Sequence, residues 1–296
     1  MITKNVRYRS VGRIEVEMLR TELGKILKNP VFYICILAVV VLLMSGNVYR
    51  SPDTGKTYTV FDFIFAHDRQ DMLKNSGMVA ADILLNGIDS YFSMFLPIIV
   101  AIPFVMVVHG ENKNNCARFE IYRVGKVRYV AGRFFASVLT GGIVTMIGYI
   151  MFSILVMIIF TTDRSAIIEY SKDEIINADI ITKTMYNALG YTGIYIVKFV
   201  REFIYGALVA VPAIMLSFII KNRYIIISVP FMIYYLLGKF IQKTDIKVLR
   251  YLLPETVSSI YENHMFKAIV AYSLAVIAAV AICLISIERK CDCGGE

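Results

Sequence analysis

Residues Glu111 to Arg133 read ENKNNCARFEIYRVGKVRYVAGR, and this stretch sets the organisation of the chain. Six of its residues are cationic (Lys113, Arg118, Arg123, Lys126, Arg128 and Arg133), against two acids, Glu111 and Glu120. A glycine, Gly125, interrupts it, and long apolar runs flank it on both sides. Charge of this density cannot enter a bilayer, whereas the flanking runs can. Cationic loops between spans are retained on the cytoplasmic side. The stretch is therefore expected to be either a solvated loop that fixes topology or a handle through which a cytoplasmic protein moves the membrane part.

Working outward, the apolar excess lies in blocks. The chain has 296 residues and is 57% hydrophobic, more than a soluble domain carries. The blocks predict an all-α polytopic membrane protein with six spans at 31–48, 90–108, 134–160, 194–220, 224–241 and 266–287. At 1.5 Å per residue, about 20 residues cross the hydrocarbon core. Ahead of the first span, 11–28 form an amphipathic helix. Val16, Leu19, Leu23, Ile26 and Leu27 make its apolar face, and Arg13, Glu17, Arg20, Thr21, Lys25 and Lys28 its polar face. Such a helix lies in the membrane interface. Asn29-Pro30 ends it, because a residue before proline disfavours the α region.

Pro97 and Pro103 fall inside the second span and Pro230 inside the fifth; Gly141, Gly142 and Gly148 in the third permit close helix approach. Ser51 to Gly55 reads as a turn, with Tyr58–Phe65 and Met78–Leu85 as short helices in a connection of about 40 residues. The second long connection, 161–195, is acidic, and Val248 to Leu253 is too short an apolar piece to span. Lys198, Arg201 and Glu202 stand near the outer end of the fourth span. Their spacing lets them share one helical face as an ion pair, either structural or in contact with cargo.

Six spans place both termini on one side. Seventeen cations fall there, in the N-terminal segment, the central stretch, the Lys221–Arg223 turn and the tail; ten are spread over the three opposite connections. The asymmetry puts both termini in the cytoplasm of a cell-membrane protein. The formal charge of +8 accordingly suits anionic lipid, not nucleic acid.

Several chemistries lack their residues. No phosphate-cradling glycine loop followed by Lys-Ser/Thr occurs, so ATP is not expected to bind this chain in that way. His67, His109 and His264 are isolated from one another, no HExxH or GxSxG pattern appears, and no mid-span acid marks an ion-coupled carrier. No structural disulfide is expected of the five cysteines. Cys291-Asp-Cys293 offers two thiols with no second pair, too few for a metal site. The chain is expected to have no enzyme activity and no cofactor of its own.

The order of these features resembles the permease subunit of ABC transporters of the type-two exporter class. The resemblance covers most of the chain. It rests on the interfacial helix ending in Lys28-Asn29-Pro30, which looks like that family's connecting helix, and on Glu111 at the end of the second span. It rests also on the run EIYRVGKVRYVAGRFF from Glu120 to Phe135, and on Leu252-Leu253-Pro254 before the last span. It implies a single transmembrane permease domain over 1–296 with 110–133 as its coupling segment. Two permeases would pair, as a homo- or heterodimer, and a separate ATPase subunit carrying ATP and magnesium would dock on each. Arg118, Phe119, Glu120, Tyr122 and Arg123 would meet that ATPase, with Glu111 and Gly125 in the coupling segment. The cargo would be an amphiphile: lipid, peptide antibiotic or drug. A secondary carrier or channel is the alternative, and an embedded enzyme of unfamiliar type a third.

Overall fold

Asn29 and Pro30 set the first corner of the molecule. In a computed structural model of the chain, the Asn29 side chain accepts a hydrogen bond from the Val31 N–H, and Pro30 opens the helix that follows. A proline is suited to that place because the first-turn N–H groups have no partner inside the helix. The helix before the corner, α1 (Glu17–Leu27), and the one after it, α2 (Pro30–Met44), are bent 68° apart. The structure describes residues 17–51, 55–65, 80–85, 92–113, 116–160, 178–220, 222–244, 255–258 and 281. The first part of the expected interfacial helix, the expected sixth span at 266–287 apart from residue 281, the apolar piece at 248–253, His67, His264, Cys291 and Cys293 lie outside these residues.

After α2 the described elements run β1 (Asn47–Arg50), β2 (Thr57–Thr59), α3 (Val60–Phe65), α4 (Ala80–Leu85), α5 (Phe92–Lys113), α6 (Cys116–Val124), α7 (Lys126–Ile159), α8 (Ile180–Leu189), α9 (Tyr191–Ile219), α10 (Arg223–Thr244) and α11 (Glu255–Ser258). The molecule is mostly helical. Among the described residues, four helices are long and apolar enough to cross a membrane: α5, α7, α9 and α10; the bent pair α1–α2 makes a fifth if counted as one span. With 15 residues, α2 is about 22 Å long, short of a hydrocarbon core of about 30 Å.

Two boundaries differ from the sequence expectation. The first span was expected to reach residue 48, but its helix ends at Met44, where the Gly46 N–H turns back to the Leu43 carbonyl. The chain then enters a small antiparallel hairpin, so the fold is not wholly α-helical. Tyr49 stands opposite Tyr58 in it, with an irregularity between Asn47 and Tyr49. A two-stranded hairpin is marginal alone. This one is held by a run of rings: Tyr49 stacks on Tyr58, Tyr58 meets Phe63 of α3, and Phe63 lies 5.1 Å from Phe160 just past α7. The expected helix at Tyr58–Phe65 accordingly begins only at Val60.

The second difference is larger. The basic stretch is helix, not loop. α5 continues to Lys113, α6 fills 116–124, and α7 starts at Lys126, eight residues before the expected third span. Between α6 and α7 the backbone breaks at Gly125, at φ 93°, a conformation that glycine alone adopts at little cost.

The long helices alternate in direction. Gly141 of α7 lies against Gly206 of α9, Gly142 against Phe203, and Tyr149 against Phe199, so α7 and α9 are antiparallel. α2 runs parallel to α7, with Val39 filling the space at Gly148. The α7–α9 seam is the tightest part of the core. A Cβ on Gly206 would stand 1.9 Å from Thr145 Oγ1, and one on Gly141 would stand 2.9 Å from the Gly206 carbonyl. Small residues let helix backbones approach where apolar solvent supplies no hydrophobic drive.

Candidate functional site: two charge clusters on the helix bundle

At the end of the bundle where α5 finishes and α7 begins, three elements meet at one ammonium group. Lys25 of α1 donates to Glu22 of its own helix at 2.8 Å, to Glu111 in the last turn of α5 at 2.7 Å, and to Glu120 of α6 at 2.8 Å. A lysine has three donors and no acceptor. Here each donor has its own carboxylate, and each of two carboxylates comes from a different neighbouring element. The other oxygen of Glu111 accepts from Arg133 of α7, whose guanidinium also donates to the Tyr129 hydroxyl one helical turn earlier. Arg133 is buried and half-covers the Tyr129 ring, with its guanidinium carbon 5.1 Å from the centroid. The relay Glu120–Lys25–Glu111–Arg133 therefore joins α6, α1, α5 and α7 by side chains alone. Burial works against the Lys25 ammonium, but the bonds from Glu111, Glu120 and Glu22 outweigh it and hold its pKa above the usual lysine range. Carboxylate oxygens of Glu22, Glu111 and Glu120 lie within 4.8 Å of one another, a spacing that also suits a metal ion. The Lys25 ammonium occupies their common centre.

The local sequence explains the geometry. On α6, Glu120, Ile121 and Val124 are half-buried, whereas Phe119, Tyr122 and Arg123 face outward, with Phe119 76% and Tyr122 89% exposed. Positions i, i+3 and i+4 share one face of a helix, which puts 119, 122 and 123 together and turns 120 away from them. Of the residues expected to meet an ATPase, the structure thus groups Phe119, Tyr122 and Arg123 on an open surface and draws Glu120 into the relay. Arg118 is in α6, and its side chain lies outside the described set. α1 is also rotated from the expected face. Met18, Glu22 and Ile26 point inward, with Met18 against Gly132 of α7, and Lys25, expected on the polar face, follows Glu22 into the cluster.

A second cluster sits on α9, towards the end where α7 finishes. Lys198, Arg201 and Glu202 are all buried. Lys198 Nζ lies 3.0 Å from Glu202 Oε1, one turn along the same helix. Arg201 reaches Asp179 at 2.7 Å; Asp179 also caps α8 by accepting from the Thr182 N–H and hydroxyl. Ser258 of α11 donates to Glu202 Oε1 at 2.5 Å, and its carbonyl and hydroxyl oxygens accept from Lys198 at 2.8 and 3.0 Å. The Tyr149 ring of α7 lies under the Lys198 ammonium, and its hydroxyl donates to the Leu84 carbonyl of α4. Thr145, near the middle of α7, donates to the Glu202 carbonyl at 3.0 Å.

Asp179, Ser258, Lys25, Glu22 and Tyr129 were not singled out as site residues. Asp179 carried a readable signal, an acid three residues before Thr182 at a helix start. For Lys25, 86 residues from Glu111, no local signal exists. The chain matches no family model, no curated protein and no solved structure. Its long apolar helices have the character of a multi-pass membrane protein.

Proposed function

We propose that the chain is the membrane-spanning subunit of an ATP-driven exporter, the permease of an ABC transporter of the type-two class, pairing with a second permease and driven by a separate ATPase subunit. The observation that carries this reading is the relay at Lys25. The helix presenting Phe119, Tyr122 and Arg123 is wired through Glu120, Lys25 and Glu111 to α1, α5 and α7. A push on α6 therefore reaches two membrane-crossing helices through charged contacts. An exposed aromatic pair with a flanking arginine has the composition of an interface anchor. In this reading the α1–α6 end faces the cytoplasm, 266–287 forms the sixth span, and the cargo is an amphiphile.

The test is co-purification of the ATPase subunit alongside transport. Phe119→Ala or Arg123→Glu leaves insertion and pairing intact and abolishes ATPase binding, or leaves hydrolysis without transport. Wild-type values of both measurements in both variants would end the proposal. Single cysteines at Asn115 and Asn222 should be shielded from impermeant reagent in intact cells, and one at Ser51 should react. A secondary carrier is the second reading, favoured by the buried acids on α9, since ionisable groups inside spans commonly mark ion pathways. It predicts transport under an ion gradient in vesicles without ATP or the ATPase subunit.

A further inference from the structure

The buried cluster on α9 ties down two short elements in two chemically different ways. We infer that it is a two-armed clasp whose arms release separately, α11 before α8. Arg201 holds α8, and Lys198 with Glu202 holds α11. The inference rests on side-chain geometry and does not depend on an ATPase partner.

The arms differ in what release leaves behind. Arg201 and Asp179 sit on different elements, so detaching α8 separates the ion pair itself and strands two opposite charges. Breaking a buried pair is far more costly than never making it. Lys198 and Glu202 sit on one helix at i and i+4 and stay paired whether or not α11 is present. Detaching α11 strands no charge: among the described residues it removes the Ser258 contacts, from a hydroxyl and a carbonyl, and the burial of Val257. The α8 arm has a second contact across the seam, from the Arg201 guanidinium to the Thr182 hydroxyl at 3.5 Å. The Lys198 ammonium keeps the Tyr149 ring in either state.

The experiment uses the full chain, purified in detergent with its native cysteines replaced, and a soluble thiol reagent. Ala178→Cys reports on the start of α8 and Val257→Cys on α11; both parent residues are buried, so modification requires local opening. With rates corrected to those in denaturant, Val257→Cys should react at least about tenfold faster than Ala178→Cys, since local openings of unequal cost are populated unequally. Adding Ser258→Ala should raise the Val257→Cys rate and leave Ala178→Cys unchanged. Adding Asp179→Asn should raise the Ala178→Cys rate and leave Val257→Cys unchanged. Equal corrected rates in the parent would overturn the inference. So would Ser258→Ala moving both reporters together, which marks one cooperative unit, or moving neither.

Discussion

The two charge clusters solve opposite problems. At the α1–α6 end, three glutamates face Lys25 and Arg133, so the described side chains carry one more negative than positive charge, and Lys25 and Glu120 are only half-buried. On α9, two acids and two bases balance, and all four are buried. A cluster near water tolerates a charge imbalance because solvent screens it. A cluster among apolar helices must close its account internally. The same residue types thus form a half-exposed, unbalanced cluster at one end and a buried, balanced one at the other.

The sharpest way to break that contrast is Arg201→Met. It leaves Asp179 buried and unpaired, and should cost about 3–5 kcal/mol of stability in detergent unfolding. Adding Asp179→Asn should recover most of the loss. A cost below about 1 kcal/mol would mean the α9 cluster is as wet as the other, since exposed pairs contribute about that little.

A smaller effect separates members of the α1–α6 cluster. Glu111 bridges Lys25 and Arg133 and is largely buried, whereas Glu120 is more exposed and, among the described side chains, pairs with Lys25 alone. Glu111→Gln should cost about 2 kcal/mol, in the range for hydrogen bonds to charged groups, and Glu120→Gln about 1 kcal/mol or less. Equal costs measured by the same unfolding assay would remove Glu111 from the centre of the relay.

The smallest expected effect is that of pH. The folded pKa of Lys25 is raised, so its contribution is fully present below the unfolded lysine value, about 10.4. It is lost only as pH rises through the higher folded value. Chemical cross-linking between α1 and α6 should therefore be unchanged from pH 7 to 9. A decline over that window would show Lys25 deprotonating early and would contradict its three-carboxylate environment.

Much of the frame was legible because it is written locally. The corner at Asn29-Pro30 follows from capping and proline stereochemistry, the break from Gly125, and the helix seam from Gly141, Gly142 and Gly148, whose missing side chains admit Val100, Phe203 and Val39. The hairpin was missed although Val48, Tyr49, Tyr58 and Thr59 are strand-forming residues around the Ser51–Gly55 turn; strands of four and three residues are too short to show alternation. The clusters were hardest to foresee. A helical wheel showed that Lys198 and Glu202 could pair, but it gives no way to know that Asp179 or Ser258 would arrive beside them, because those contacts span the fold. For α6, the spacing that grouped Phe119, Tyr122 and Arg123 also implied that Glu120 points elsewhere; what lay there was Lys25, from another element.

Gly125 has a mechanical consequence. An added Cβ there would meet nothing within 4 Å, so the turn itself is open, while Ile121 and Val124 of α6 on one side of it lie against the core. The side chains from Glu120 through Lys25 and Glu111 to Arg133 span the joint between α6 and α7 as a strut. In the proposed complex a load on α6 would pass to α7 along this strut as well as along the backbone and the packing of Ile121 and Val124.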